Sequence, residues 1–466
     1  MAELNVSSTT IPGLLRVDLP VHGDNRGWFK ENWQRAKMVA LGLPDFRPVQ
    51  NNVSFNSDAG ATRGIHAEPW DKLVSVATGR IFGAWVDLRE GPTFGTVVTA
   101  EMGPETAYFV PSGVGNAFQT LVDATAYSYL VNDHWSAEAR DSYTFVNLAD
   151  EQLAIAWPIP LDQAERSDAD RTHPRLQEVS PVPPKRMLIL GADGQLGREL
   201  RALHPTADAF SRADLDLTDP AALDAVSWRR YDTVVNAAAY TAVDAAESPE
   251  GRRTAWAVNA MATGRLARAA ADHRVTMVHV STDYVFDGTV EVHPEDEPFS
   301  PLGVYGQSKA AGDALVATHE QHYIVRTSWV IGEGRNFVRT MADLADRGVK
   351  PSVIGDQHGR PTFTRDLARG ITHLLETRAP YGTYNLTSAG RVRTWADIAA
   401  AVFEARGRDP QDVQRVTTEE YAAGRPTAPR PPHSALDLSK VRATGYIPED
   451  GDTALAAYLD SLEPSA

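Results

Sequence analysis

The spacing of apolar residues changes character partway along the chain. Up to about Pro158 they come in short runs rich in Val, Tyr, Phe and Trp, such as KLVSVATGRIFGAWVDL, TVVTAEM, AYFVPSG and AYSYLVNDHW, separated by Gly, Pro and Asn. Runs of this kind predict strands joined by tight turns, hence a β-sandwich or barrel. From Met187 the texture becomes strand then helix: MLILGADGQLGRELRAL, DTVVNAAAY, an Ala-rich helical stretch, TMVHVSTDYVF and a second Ala-rich helix. That alternation predicts an α/β domain with a parallel, doubly wound sheet. Between the two lies QEVSPVPPKR, whose three prolines and lack of apolar period predict a connector over 177–186, with one domain at 1–176 and another at 187–466. The halves differ in period and class, so no internal repeat is expected.

Length and composition narrow this picture without changing it. A chain of 466 residues exceeds what one core usually serves. No apolar run approaches a bilayer span, the opening MAELNVSSTT has no secretory pattern, and there is no cysteine, so a cytoplasmic enzyme is expected. A formal charge of −16 argues against nucleic-acid or anionic-membrane partners, and any anion site must be built locally.

In the second half, MLILGADGQLG runs a buried strand into Gly191, Gly194 and Gly197 and then a helix. In that setting backbone N–H groups and a helix N-terminus hold a pyrophosphate, although glycines at a tight turn have the same appearance. Asn236, Asp244 and Glu247 in NAAAYTAVDAAE are expected at the end of a parallel strand, beside the cofactor. Tyr305 and Lys309 in VYGQSKAAGDAL share a helical face. An ammonium there would favour the phenolate and let tyrosine protonate a carbonyl oxygen, with Thr282 as a second hydrogen-bond donor. After the second strand Arg212 stands with no acid immediately before it, which favours NADPH, with NADH as the alternative. Glu199 is a lone helical carboxylate, and no metal is expected.

GADGQLGREL, VVNAAAYTAVDAAE, STDYVFDG, VYGQSK, RTSWV, GDQHGRPT and RPTAPRPPHSALD together resemble the dTDP-4-dehydrorhamnose reductases, extended short-chain dehydrogenase/reductases with a Rossmann core and a small substrate subdomain. The resemblance implies a catalytic triad of Thr282, Tyr305 and Lys309. It implies cofactor contacts from Gly191, Asp193, Gly194, Gln195, Leu196, Gly197, Arg212, Asp216, Leu217, Ala237, Ala238, Ala239, Tyr305 and Lys309. Asp283, Trp329, Arg430 and Ser434 would hold the nucleotide sugar.

Read from its residues alone, the first half is a β-protein in which Arg26 and Arg63 offer an anion clamp and His66 is either structural or catalytic. DNRGWFKE, PVQNNVS, TRGIH, VPSGVGNAF, AYSYLVNDHW, AIAWP and SDADRTHP resemble the dTDP-4-dehydrorhamnose 3,5-epimerases, cupin-like jelly rolls that are typically homodimers. The resemblance implies His66 as base, Asp170 as its orienting carboxylate, Tyr129 as acid and Lys72 as the enolate contact. Arg26, Glu31, Gln50, Asn52, Arg63, Asn116 and Trp135 would bind the substrate. Three departures retune the pattern: a short loop from His66 to Lys72, Asn116 where the family has an imidazole, and Trp135 where it has tyrosine. Together the halves imply epimerisation of a dTDP-4-keto-6-deoxyhexose followed by its reduction to dTDP-L-rhamnose. A UDP-linked sugar, or a non-catalytic second half, are the alternatives.

Overall fold

The structure, a computed structural model, describes residues 3–135, 140 and 142–462. The chain divides into two units, Met1–Pro184 and Lys185–Ala466.

The first unit is two antiparallel sheets packed face to face. One runs Asn5–Ser8, Leu15–Asp18, Thr106–Val110, Lys72–Thr78, Thr125–Val131, Gln50–Asn56; the other runs Thr144–Phe145, Thr62–Ala67, Val114–Thr120, Ile81–Asp87, Val97–Met102. The apolar runs KLVSV and IFGAWVD form strands buried almost throughout. Aromatic pairs join the sheets: Trp85 stacks on Tyr108 with centroids 4.0 Å apart, and Phe118 on Tyr127 at 4.2 Å. Burying each such ring stabilises the unit by about 1.5–3 kcal/mol. The strand Gln50–Asn56 sits at a sheet edge with an inverted pattern, Gln50, Asn52 and Ser54 half-buried and Val53 and Phe55 more than 60% exposed. Of the proline-rich stretch, Leu176–Glu178 makes a 3-10 turn and Val182 bridges to Arg89, so part of it packs on this unit.

The second unit is a six-stranded parallel sheet in the order Asp208–Phe210, Arg186–Leu190, Tyr231–Asn236, Thr276–Thr282, His322–Thr327, Gly382–Asn385. Its order reverses beside the unit's first strand, Arg186–Leu190, and the crevice there lies at the carboxyl ends of the strands. A second apolar cluster, with Val338, Ala342, Val402, Phe403 and Leu455, is built by the helices Phe337–Asp346, Trp395–Ala405 and Gly451–Asp460. This is the small subdomain. No helix among the described residues is long and apolar enough to cross a membrane.

Candidate active sites

A cleft of about 600 Å³ opens in the first unit. His66 lies on the strand Thr62–Ala67, in register with Asn116 and Phe145 of the neighbouring strands. Asp170 lies on the short helix Asp168–Thr172, whose N-cap Ser167 accepts the Asp170 N–H. Asp170 Oδ1 takes His66 Nε2 at 2.9 Å and His173 Nε2 at 3.3 Å. With Nε2 engaged by Asp170, Nδ1 is the His66 ring nitrogen left to meet a ligand. Burial opposes ionisation of Asp170, but the two histidines and Ser167 outweigh it and hold the carboxyl below its ordinary value. Burial, then the nearby His66, pushes His173 down, which keeps that ring neutral. The donor atoms of His66, Asp170 and His173 all lie within 4.8 Å, a spacing that a cation could bridge, yet ring protons satisfy these contacts as ordinary hydrogen bonds.

Tyr129 faces the same cleft from the strand Thr125–Val131, its phenol pushed up by burial and then by Glu68, with Arg63 opposing. Lys72 is buried and ion-paired to Glu68, a cleft residue that sequence reasoning missed. The short His66–Lys72 loop causes this, because it sets Glu68 and Lys72 four residues apart and facing one another. Asn116 Oδ1 accepts from Trp85 Nε1 at 3.0 Å and Tyr127 Oη at 3.1 Å, so the residue standing in for an imidazole ties the core to the cleft wall. Arg63 and Trp135 line the cleft; Gln50 reaches the rim, where its side-chain oxygen accepts the Trp135 N–H at 3.3 Å and its amide donates to Asn52 at 2.8 Å.

Gln50 and Asn52 pair with one another outside the cleft lining, and two further expected substrate contacts lie farther off. Arg26 sits at the tip of the exposed hairpin Val21–Asp24/Gly27–Lys30, paired with Asp24, and Glu31 is exposed and paired with Lys37. Neither lines this chain's cleft, so the Arg26–Arg63 clamp does not form within one chain. Arg140 and Arg166 line the cleft with Arg63 instead. Isolated arginines on irregular segments carry no periodic signal that could have marked them.

The cleft of the second unit, also about 600 Å³, lies at the sheet's switch point. Gly191 has φ +79°, and a Cβ there would meet the Ala238 nitrogen at 2.7 Å; a Cβ on Gly197 would lie 2.2 Å from the Gly191 oxygen. Gly194 caps the helix Gln195–Leu203. The glycines thus bring helix, turn and third strand together, and Asp193, Gly194, Gln195, Leu196, Ala237 and Ala239 line the cleft while Gly191, Gly197 and Ala238 support it from behind. Gln195 Oε1 and Thr327 Oγ1, in the cleft wall, are buried without a hydrogen-bond partner, as polar atoms awaiting a ligand would be. Arg212 is exposed, two residues past the strand whose Phe210 carbonyl accepts the Gly191 N–H, and pairs with Asp216 at 3.4 Å. Asp216 also holds Thr218, and Leu217 is core rather than cofactor wall.

Thr282, Asp283, Tyr305 and Lys309 all line this cleft. The Thr282 hydroxyl donates to Asp283 Oδ1 at 2.9 Å and sits against the Tyr305 phenol. Lys309 shares a helical face with Tyr305 as its spacing predicts, but its hydrogen bonds go elsewhere. Its Nζ bonds the Val280 carbonyl at 2.7 Å and His279 at 3.2 Å, and Tyr305 is pushed up, by burial first and then by Asp283, with Thr282 opposing. Burial pushes Lys309 down to about 8 and Asp283 up to about 6. Trp329, at φ +45°, lines the cleft, stacked on Trp395 at 3.9 Å; Gly359 of the GRPT run is required there, since a Cβ would meet the Trp329 ring at 2.8 Å.

Five further expectations change role. Asn236 is buried and bonded to His279, and Glu247 caps the helix Val304–Val316 by accepting the Val304 N–H at 2.7 Å. Asp244 pairs with Arg430 at 2.8 Å, which ties the tail to the sheet-end loop instead of leaving Arg430 in the cleft. Ser434 is buried behind Asp283 and bonds it.

These sites define a class: a β-sandwich with a His–Asp pair and a tyrosine in one cleft, and a dinucleotide-binding fold with a Thr/Tyr/Lys set. Residues 8–178 match the dTDP-4-dehydrorhamnose 3,5-epimerase family and residues 185–463 the RmlD substrate binding domain family. The chain belongs to both, as an epimerase fused to a reductase. It is 53% identical over 180 residues to an RmlC homolog of Streptococcus pyogenes, covering 38% of this chain and 90% of that one. It is 41% identical over 283 residues to the dTDP-4-dehydrorhamnose reductase of Streptomyces griseus, covering 58% and 91%. The crystal structure of the Bacillus anthracis dTDP-4-dehydrorhamnose reductase in complex with NADP is similar with a TM-score of 0.55 and 33% identity, covering 59% of this chain and 99% of that one.

Proposed function

We propose that this chain converts dTDP-4-keto-6-deoxyglucose to dTDP-L-rhamnose by 3,5-epimerisation in the first unit and NADPH-dependent C4 reduction in the second. The observation that carries the reading is that one chain holds two separate, chemically complete sites of the two families, a base–acid pair in one and a proton-donating Thr/Tyr/Lys set in the other.

In the first, the C4 ketone acidifies the C3 and C5 protons, and His66 Nδ1 takes them while Asp170 steadies the ring that becomes charged. Tyr129 returns a proton to the opposite face. Lys72 steadies the enolate oxygen, its ammonium held by Glu68. Epimerisation must come first, because reduction removes the ketone that makes it possible. In the second unit the glycine turn, Gln195 and Ala237–Ala239 would hold the dinucleotide, and Arg212 would meet a 2′-phosphate. NADPH supplies hydride to C4 when bound. Tyr305 gives its proton to the C4 oxygen, Thr282 turns its hydroxyl from Asp283 to donate a second hydrogen bond to that oxygen, and charged Lys309, one helical turn from Tyr305, stabilises the phenolate left behind. Trp329 and Asp283 would position the sugar, and Arg430 and Ser434 would support that wall from behind. Intact Thr282, Tyr305 and Lys309 disfavour a non-catalytic second half.

The quaternary reading is a homodimer through the epimerase unit. Supporting it, the hairpin carrying Arg26 also exposes Trp28 and Phe29, and Val53 and Phe55 are bare on an edge strand, an apolar area that a second copy would cover. A cytoplasmic setting fits a cysteine-free enzyme using a nucleotide sugar and NADPH.

The test is to incubate the full chain with dTDP-4-keto-6-deoxyglucose and NADPH and identify the product by NMR. The L-rhamnose configuration is expected; a product reduced at C4 with the original C3 and C5 configuration excludes the epimerase reading, and no NADPH consumption excludes the reductase one. Running the UDP-linked sugar in parallel defines the nucleotide.

A further inference from the structure

Behind Tyr305 and Lys309 lies a buried polar layer that the reductase chemistry above does not use. Tyr305, Lys309 and Asp313 follow at spacing four on the helix Val304–Val316 and share one face. His279, fully buried on the strand Thr276–Thr282, places Nε2 3.2 Å from Lys309 Nζ and 3.7 Å from Asp313 Oδ1. Its Nδ1 lies 3.2 Å from Asn236 Nδ2. Arg326, on the next strand, approaches Asp313 Oδ2 at 3.3 Å. Among the described residues, Tyr305 on the same helix and Asp283 on the turn after the His279 strand also face this layer.

Hydrogen-bond directions fix the imidazole. Asn236 Oδ1 accepts the Ala238 N–H at 3.2 Å, so its NH₂ faces His279 Nδ1, which must offer a lone pair. Burial first, then the charge of Lys309, pushes His279 well below its ordinary range and keeps it neutral. The ring proton is therefore on Nε2. An uncharged Lys309 amine accepts that proton as a hydrogen bond. A charged ammonium does not, because two donors then face each other, and Nε2–H must turn to the more distant Asp313 Oδ1, a buried atom short of a normal hydrogen bond. The carbonyl of Val280 accepts from Lys309 in either state.

We propose that His279, held as its Nε2–H tautomer by Asn236, is a positioning residue that makes the charged form of Lys309 harder to hold, and so places the alkaline end of the reductase's working range. The proposal rests on Lys309 serving Tyr305 in its charged form, as above. Lys309 is already pushed down to about 8 by burial, with Asp313 opposing, so a modest bias acts within the working range.

The experiment is the pH profile of kcat/KM for NADPH oxidation with the 4-keto sugar, between about pH 6.5 and 9.5, in the full chain and in His279→Gln and Asn236→Ala. Native activity is expected to fall with rising pH around 8. In His279→Gln an amide oxygen accepts from the ammonium, and in Asn236→Ala the ring is free to move its proton to Nδ1, so in both the fall moves up by about one pH unit. A native profile with no fall overturns the proposal. So does a folded, NADPH-binding variant whose activity drops at every pH with its limb unmoved or lower, the signature of a structural role. If His279→Gln does not fold, Asn236→Ala and the native limb decide alone. Deuterium exchange at C3 and C5 should be unchanged throughout. A native chain that exchanges deuterium yet never oxidises NADPH refutes the Tyr305/Lys309 reading itself, and this proposal with it.

Discussion

Single side chains divide the labour. Tyr305→Phe keeps the ring and loses the proton donor, so NADPH oxidation should fall by about 10²–10⁴ while substrate in D₂O still gains deuterium at C3 and C5. His66→Ala should do the reverse, ending exchange while the second unit still reduces separately supplied epimerised sugar. The pair of assays decides the matter: loss of exchange in Tyr305→Phe, or its survival in His66→Ala, would mean that one site does both jobs. Arg212 makes a smaller, selective prediction. It is 76% exposed at the side chain and paired with Asp216, so contact with a 2′-phosphate is worth about 1–2 kcal/mol. Arg212→Ala should weaken NADPH about tenfold and leave NADH unchanged by fluorescence titration; equal weakening of both removes Arg212 from cofactor choice.

At the scale of elements, the glycine turn shows how much geometry one atom controls. Gly194 meets only the Gly191 oxygen, at 3.2 Å from where a Cβ would be, whereas a Cβ on Gly197 would overlap the Gly191 oxygen and the Ala192 backbone. Gly194→Val should therefore fold with a near-native melting temperature and lose NADPH binding, because its side chain fills the space over the helix N-terminus. Gly197→Ala should lower the melting temperature, since the helix has to move off the strand. If Gly194→Val binds NADPH normally, the dinucleotide lies elsewhere. The helix Val304–Val316 is the other instructive element. Its fourfold spacing marked Tyr305 and Lys309, and the same spacing continues to Asp313, but the partner that takes up Lys309 comes from a strand some thirty residues earlier.

At the scale of the whole molecule, the proposed homodimer through the first unit makes a prediction of its own. The hairpin with Arg26 and Phe29 and the edge strand with Val53 and Phe55 are exposed, and the Arg26 predicted at the diphosphate is absent from its own chain's cleft. A homodimer would account for both. Phe29→Asp or Phe55→Asp should shift the chain from dimer to monomer in light scattering and depress exchange, leaving NADPH oxidation of pre-epimerised sugar intact. An unchanged molar mass in both variants would put the interface elsewhere.

The sequence by itself determined the class of each half, the glycine turn and the Tyr305–Lys309 face, because strand and helix periods and local motifs are written in neighbouring residues; His66, Asp170 and Tyr129 were marked by the family resemblance and by no period. Only the tertiary structure decided what those groups touch. It paired Glu68 with Lys72, brought Arg140 and Arg166 into the epimerase cleft, set Arg26 on an outer hairpin, and gave Asp244, Glu247 and Arg430 structural partners. It also turned Lys309 toward His279 and packed Tyr305 half-buried in the cleft wall, so that desolvation rather than the ammonium governs the phenol. The physical reason is range: periodicity reports which face of an element is apolar, whereas a charge's partner and its exposure depend on residues far along the chain, which meet only when the sheets close.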